Sequence, residues 1–67
     1  MFIKTLDGKQ LLNVNFVESI EVKKARNTDD FILVALTKNE AYIIAKSKYE
    51  SDMIDKLDML YNGKYIG

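Results

Sequence analysis

Asp52, Asp55 and Asp58 step by three through the last third of a chain of 67 residues that has no histidine and no cysteine. At that spacing three carboxylates lie near one face of a helix. Carboxylate oxygens are the ligands of hard cations, but calcium and magnesium need oxygens that converge from several directions. A single row on one helix does not converge, so these residues read as the solvated side of an amphipathic helix. Asn27-Thr-Asp-Asp30 is oxygen-rich like a calcium loop, yet it lacks the glycine and the distal glutamate of an EF-hand. Paired carboxylates can cleave glycosides, but a chain this short leaves little room for a sugar cleft and shows no aromatic platform. Ser47 and Ser51 have no base partner, and the three glycines are scattered rather than gathered into a phosphate loop. No catalytic residue, metal ligand or cofactor is expected, and the chain does not read as an enzyme.

Two charged groups remain as binding candidates. Lys23, Lys24 and Arg26 form the one basic cluster. With Lys4, Lys9 and Tyr42 on a sheet they would line a groove for single-stranded nucleic acid, where cations track phosphates and aromatics stack on bases. The competing reading is a lysine-protected strand edge, since charges there discourage sheet-to-sheet aggregation. The second group is Glu50, Asp52, Asp55 and Asp58, a carboxylate face that could meet a protein partner as an imitation of a phosphate row. Residues 1–48 hold eight basic and six acidic side chains, and residues 49–67 hold two basic and four acidic.

The elements that would position these groups follow from periodicity. Phe2 to Leu6 reads as a strand, Asp7-Gly8 as a two-residue hairpin turn, and Lys9 to Asn13 as the returning strand. Leu11 and Leu12 point opposite ways, so pattern leaves that register open. Asn13 to Phe16 is a short irregular link. Glu18 to Ala25 alternates, with Ile20 and Val22 on one side and Glu21 and Lys23 on the other. Arg26 to Asp30 is a polar loop. Phe31 to Thr37 and Ala41 to Lys46 are the central strands, joined by a tight turn at Lys38-Asn39-Glu40. Ser47-Lys-Tyr-Glu50 fits a capping box. Beyond it, Tyr49, Met53, Ile54, Leu57, Leu60 and Tyr61 recur on a helical stripe. Asn62-Gly63 suits the helix stop. Tyr65 and Ile66, in the tail, are candidates to dock on the sheet edge.

The order is α+β: an antiparallel four-stranded meander followed by one C-terminal helix, in a single domain over residues 1–67. The central strand Phe31-Ile-Leu-Val-Ala-Leu36 is apolar on both sides, because alternate residues face opposite ways. One helix covers one side only. Small domains bury only ~60 % of their unfolded surface and usually lean on disulfides, metals or self-association. Neither thiol nor imidazole is present, which leaves association.

The totals limit the setting. Ten basic and ten acidic residues cancel, which argues against a dedicated duplex-DNA or membrane-surface protein. No apolar run approaches the ~20 residues of a membrane span. The opening Met1-Phe-Ile-Lys-Thr-Leu-Asp-Gly8 does not have the layout of a signal peptide. The lack of cysteine fits a cytoplasmic protein.

The opening Met1 to Gly8, the Val17-Glu-Ser-Ile20 element and the strand-turn-strand-helix finish resemble small uncharacterised proteins of Gram-positive bacteria and their phages. The order of four strands and then a helix is similar to the dimeric PC4-like single-stranded-DNA-binding fold, and fold alone does not fix function. Glu40-Ala-Tyr-Ile-Ile-Ala45, Ile54-Asp-Lys-Leu57 and Tyr61-Asn-Gly63 resemble the end of a small anti-CRISPR inhibitor that mimics DNA. That likeness implies a phage-encoded inhibitor of a defence nuclease acting through the acidic helix.

The expectation is therefore a non-catalytic interaction module, a dimer held through the sheet face that the helix leaves open. Ile32, Val34, Leu36, Ile43 and Tyr42 are expected at or near that interface. Phe31, Leu33 and Ile44 are the complementary set if the helix takes the other side.

Overall fold

The computed structural model describes residues 1–63. Tyr65 and Ile66, the expected docking tail, lie outside the described residues. Five strands precede one helix: β1 (Phe2–Lys4), β2 (Leu11–Asn13), β3 (Ser19–Lys24), β4 (Phe31–Leu36), β5 (Ala41–Ser47) and α1 (Glu50–Tyr61). The class is α+β, but the strands do not form one four-stranded meander. β1 and β2 make a separate hairpin, and β3-β4-β5 make a three-stranded antiparallel sheet. The hairpin is tied to the sheet by the backbone N–H of Leu6, which donates to the Ile43 carbonyl at 2.9 Å.

The break between the two sheets has a local cause. Asn13 ends β2 and its side-chain oxygen accepts from the Asn15 N–H at 3.0 Å. That bond caps a 3₁₀ turn over Val14–Phe16, and a turn replaces the straight run that a continuous meander would need.

The first hairpin is also looser than an Asp-Gly dipeptide suggests. Thr5 and Gln10 close it, through the Thr5 N–H and the Gln10 carbonyl at 2.9 Å, so four residues form the loop. Asp7 organises it: the Thr5 hydroxyl donates to its carboxylate at 2.6 Å and the Lys9 N–H at 2.9 Å. Gly8 takes a φ of +75°, a conformation that favours glycine. The β4–β5 turn is tight, as expected, with the Thr37 N–H on the Glu40 carbonyl at 2.8 Å.

The core lies on one side of the three-stranded sheet. Leu33 and Ala35 of β4, with Ile44 and Ala45 of β5, meet Ile3 and Leu12 from the hairpin and Met53 from the helix. Val14, Ile20, Val22, Phe31, Tyr42, Leu57 and Leu60 close around them. Ile44 and Ala45 are consecutive, yet both are buried in the core. A bulge explains this: Leu33 pairs with Ala45 and Val34 with Ile43, leaving Ile44 as the extra residue. A bulge sets two residues of one strand against one of its neighbour and resets the alternation.

The helix sits on the core through Met53, Leu57 and Leu60, a spacing of four and three. Tyr49, Ile54 and Tyr61, expected on the same stripe, are exposed. The expected capping box does not form. Ser47 is the last residue of β5, the helix starts at Glu50, and its N-cap position, Tyr49, supplies no side-chain bond. The Ser47 hydroxyl instead donates to Asp52 at 2.6 Å and accepts from the Tyr49 N–H at 3.2 Å. At the other end Asn62 and Gly63 do stop the helix, with Gly63 at φ +72°.

Candidate interaction surface

β3, β4 and β5 carry two faces. Register places Ile20 beside Ala35 and Val22 beside Leu33 on the core side. The same register places Glu21 beside Val34 and Lys23 beside Ile32 on the outer side. On β5, Ile43 flanks Val34 and Lys46 flanks Ile32. The outer face is therefore a central apolar row, Ile32–Val34–Leu36, with Glu21 and Lys23 along one flank and Ile43 and Lys46 along the other.

The helix and the hairpin both pack on the core side, so among the described residues no element lies over this row. Ile43 is 45 % exposed, and Ile32 and Leu36 are half-buried. Val34 is only 5 % exposed despite having no layer above it. It is the middle strand's residue between Glu21 and Ile43 in register. Tyr42 is on the other side: it pairs with Ala35 and packs against the core. Strand alternation separates it from Ile43. Its hydroxyl donates to Glu40 at 2.5 Å. That hydrogen bond, then desolvation and the carboxylate charge, push the phenol above its ordinary value. The complementary set Phe31, Leu33 and Ile44 packs in or against the core.

The outer face does not stop at β5. Ile3 and Thr5 of the first hairpin turn inward, so Phe2, Lys4 and Leu6 turn outward. Leu6 is 50 % exposed and is bonded through its N–H to the Ile43 carbonyl. Leu6 thus stands next to Ile43, and Phe2 and Leu11, 64 % and 66 % exposed, lie farther out on the hairpin with the exposed Lys4 between Leu6 and Phe2. Sequence reading missed these three. The Phe2–Leu6 run has apolar residues in both parities, and of its two polar members Lys4 turns out while Thr5 is buried, its hydroxyl bonding Asp7 and receiving the Gln10 N–H; Leu11, on β2, sits beside the equally apolar Leu12.

The charged candidates are dispersed. Lys23 and Lys24 are neighbours on β3 and so face opposite sides of the sheet. Lys23 lies 3.9 Å from Glu21 on its own strand, and Arg26 stands in the exposed loop beyond. The three do not share a groove. In the helix, Asp55 and Asp58 are exposed and Asp52 is held by Ser47. At 100° per residue, Glu50 and Asp52 fall on opposite flanks, so the four acids do not make one face. Among the described residues no group of three acidic side chains is placed to hold a metal ion. The surface hollows are shallow. The one beside the outer face is lined by Thr5, Leu6, Asp7, Gln10, Ala41, Tyr42 and Ile43.

Among the described residues no helix is long and apolar enough to cross a membrane. What this geometry offers is contact: an apolar strip with a sparse, mixed-charge border. Comparison of the chain with protein-family models, with curated proteins and with solved structures returns no match.

Proposed function

We propose that this protein is a non-catalytic interaction module that self-associates through the outer face of its three-stranded sheet. The observation that carries the reading is the one-sided core. Helix and hairpin both join the core cluster that holds Leu33 and Ala35, while among the described residues no element lies over Ile32, Leu36, Ile43 and Leu6. Exposed apolar groups of this kind mark interfaces more often than they mark waste.

The contact is small. Three strands at ~4.8 Å and six residues at ~3.3 Å give a footprint of about 300 Å², well under the ~800 Å² per partner of a standard interface. A contact this small is expected to sit among the weak, transient associations rather than the obligate ones. Sedimentation velocity over a wide concentration range tests this. The weight-average mass rises from one chain toward two, and Ile43→Lys holds it at one chain without lowering the melting temperature by more than a few degrees. A single chain at millimolar concentration contradicts the proposal. Val34→Lys is the wrong probe, because a residue this buried unfolds the sheet when charged.

A further inference from the structure

Resting on that reading, the geometry points to a specific arrangement of the two copies: a two-fold axis running across the strands between Glu21 and Lys23, so that each Glu21 meets the Lys23 of the second copy. A contact between identical copies requires a patch that is its own complement. The outer face meets that condition in charge. It carries Glu21 and Lys23 on the β3 flank, and Lys46 with Asp30 at one end, two of each sign. Both pairs are loose, at 3.9 and 3.8 Å, and the Glu21 and Lys23 side chains are about half exposed. Pairs of that kind contribute little within one chain and are free to exchange partners across a contact.

Register chooses the axis. Two sheets meeting face to face about an axis along the strands bring β3 of one copy over β5 of the other. Lys23 and Lys46 both flank Ile32 in the same row, so that axis sets Lys23 against the second copy's Lys46. Like charges facing each other oppose a contact. An axis across the strands, midway between the Glu21 and Lys23 rows, brings β3 over β3. It opposes Glu21 to Lys23 twice, brings Ile32 over the nearly fully buried Val34 twice, and sets the exposed Ile43 against the stem of the second copy's Lys46 rather than setting cation against cation. A polyanionic partner does not fit this face, since Glu21 sits in the middle row beside Val34 and Ile43.

Charge reversal tests the arrangement. E21K leaves this flank with two cations and K23E leaves it with two anions. Each alone weakens the dimer at least tenfold in sedimentation equilibrium. An equimolar mixture of the two dimerises, and the double variant E21K/K23E regains wild-type association. Both positions are exposed on an edge strand, and thermal melts confirm that each variant is folded. A wild-type dimer that neither reversal weakens overturns the arrangement but leaves self-association standing. So does a dimer that K23E strengthens, which is the signature of the axis along the strands. A wild-type chain that stays monomeric overturns the underlying reading and the arrangement with it.

Discussion

Asp7 shows how a single side chain shapes the loop beside the outer face. The hydroxyl of Thr5 donates to its carboxylate, and the Lys9 N–H adds a second bond. Those two bonds hold its carboxyl below the usual aspartate value. The sign of the linkage follows: the folded state favours the ionised form, so the stabilisation is present above the ordinary aspartate pKa. It is lost as the pH falls through the lower folded value. Asp7→Asn is expected to lower the melting temperature at neutral pH and to flatten its fall as the pH drops below the ordinary aspartate value of about 4, as read by circular dichroism. An unchanged acid limb would show that the Asp7 carboxylate does not stabilise the loop. Gly8 is the second control on this loop. Its φ of +75° strains any L-residue, while an added Cβ meets nothing within 4 Å. Gly8→Ala therefore costs about 1 kcal/mol from the backbone alone, measurable by urea unfolding. A neutral result would mean that the loop relaxes. The Asp-Gly pair was readable as a turn, but its extent was not. The four-residue loop depends on Thr5 bonding Asp7, a side-chain choice that no dipeptide rule contains.

The helix and the sheet meet through few side chains. Met53 is fully buried and anchors α1 on the core with Leu57 and Leu60. Met53→Ala removes that anchor and costs about 2–5 kcal/mol. A domain this size has net stability of only ~3–5 kcal/mol, so the variant is largely unfolded near body temperature by circular dichroism. Ile54→Ala, at an exposed position one residue on, stays within about 0.5 kcal/mol of wild type. Comparable losses at the two sites would refute the packing described. The helix was legible from its apolar spacing and its Asn-Gly stop. Its contact stripe was overdrawn, because Tyr49, Ile54 and Tyr61 were counted with Met53, Leu57 and Leu60. Apolar type predicts a stripe only to the width of the surface it meets, and here the helix spans a three-stranded sheet shared with a hairpin. The capping box failed for a related reason: β5 runs on to Ser47 and the helix begins only at Glu50, so Ser47 stands two residues ahead of the N-cap position. The bulge at Ile44 was equally hidden, since it appears only when β5 is laid in register beside β4.

At the scale of the molecule, the two apolar sides of β4 were legible at once, and one helix was too little cover for both. The structure gives Leu33 and Ala35 to the core and turns Ile32, Val34 and Leu36 outward. Neither composition nor pattern could say which side the helix takes, because both sets are similar in size and hydrophobicity. The separate hairpin changes the picture most. It shares the covered side with the helix, so it adds nothing over the outer row and instead sets Leu6 next to Ile43, with Phe2 and Leu11 exposed farther out. The surface is thus longer and more peripheral than the central strand implies, and the most central residue, Val34, is the least available of all. Leu6→Lys, at the seam between hairpin and sheet, is expected to weaken association several-fold with little change in stability. Indifference to that change would confine the contact to the three-stranded sheet.

The most direct measurement is the mass of the protein in solution as a function of concentration, for wild type and Ile43→Lys side by side. Self-association through the outer face gives a wild-type mass that climbs from one chain toward two between about 1 µM and 1 mM, and a folded Ile43→Lys variant that does not climb. A wild-type mass fixed at one chain across that range, or an Ile43→Lys curve that overlays wild type, would contradict it.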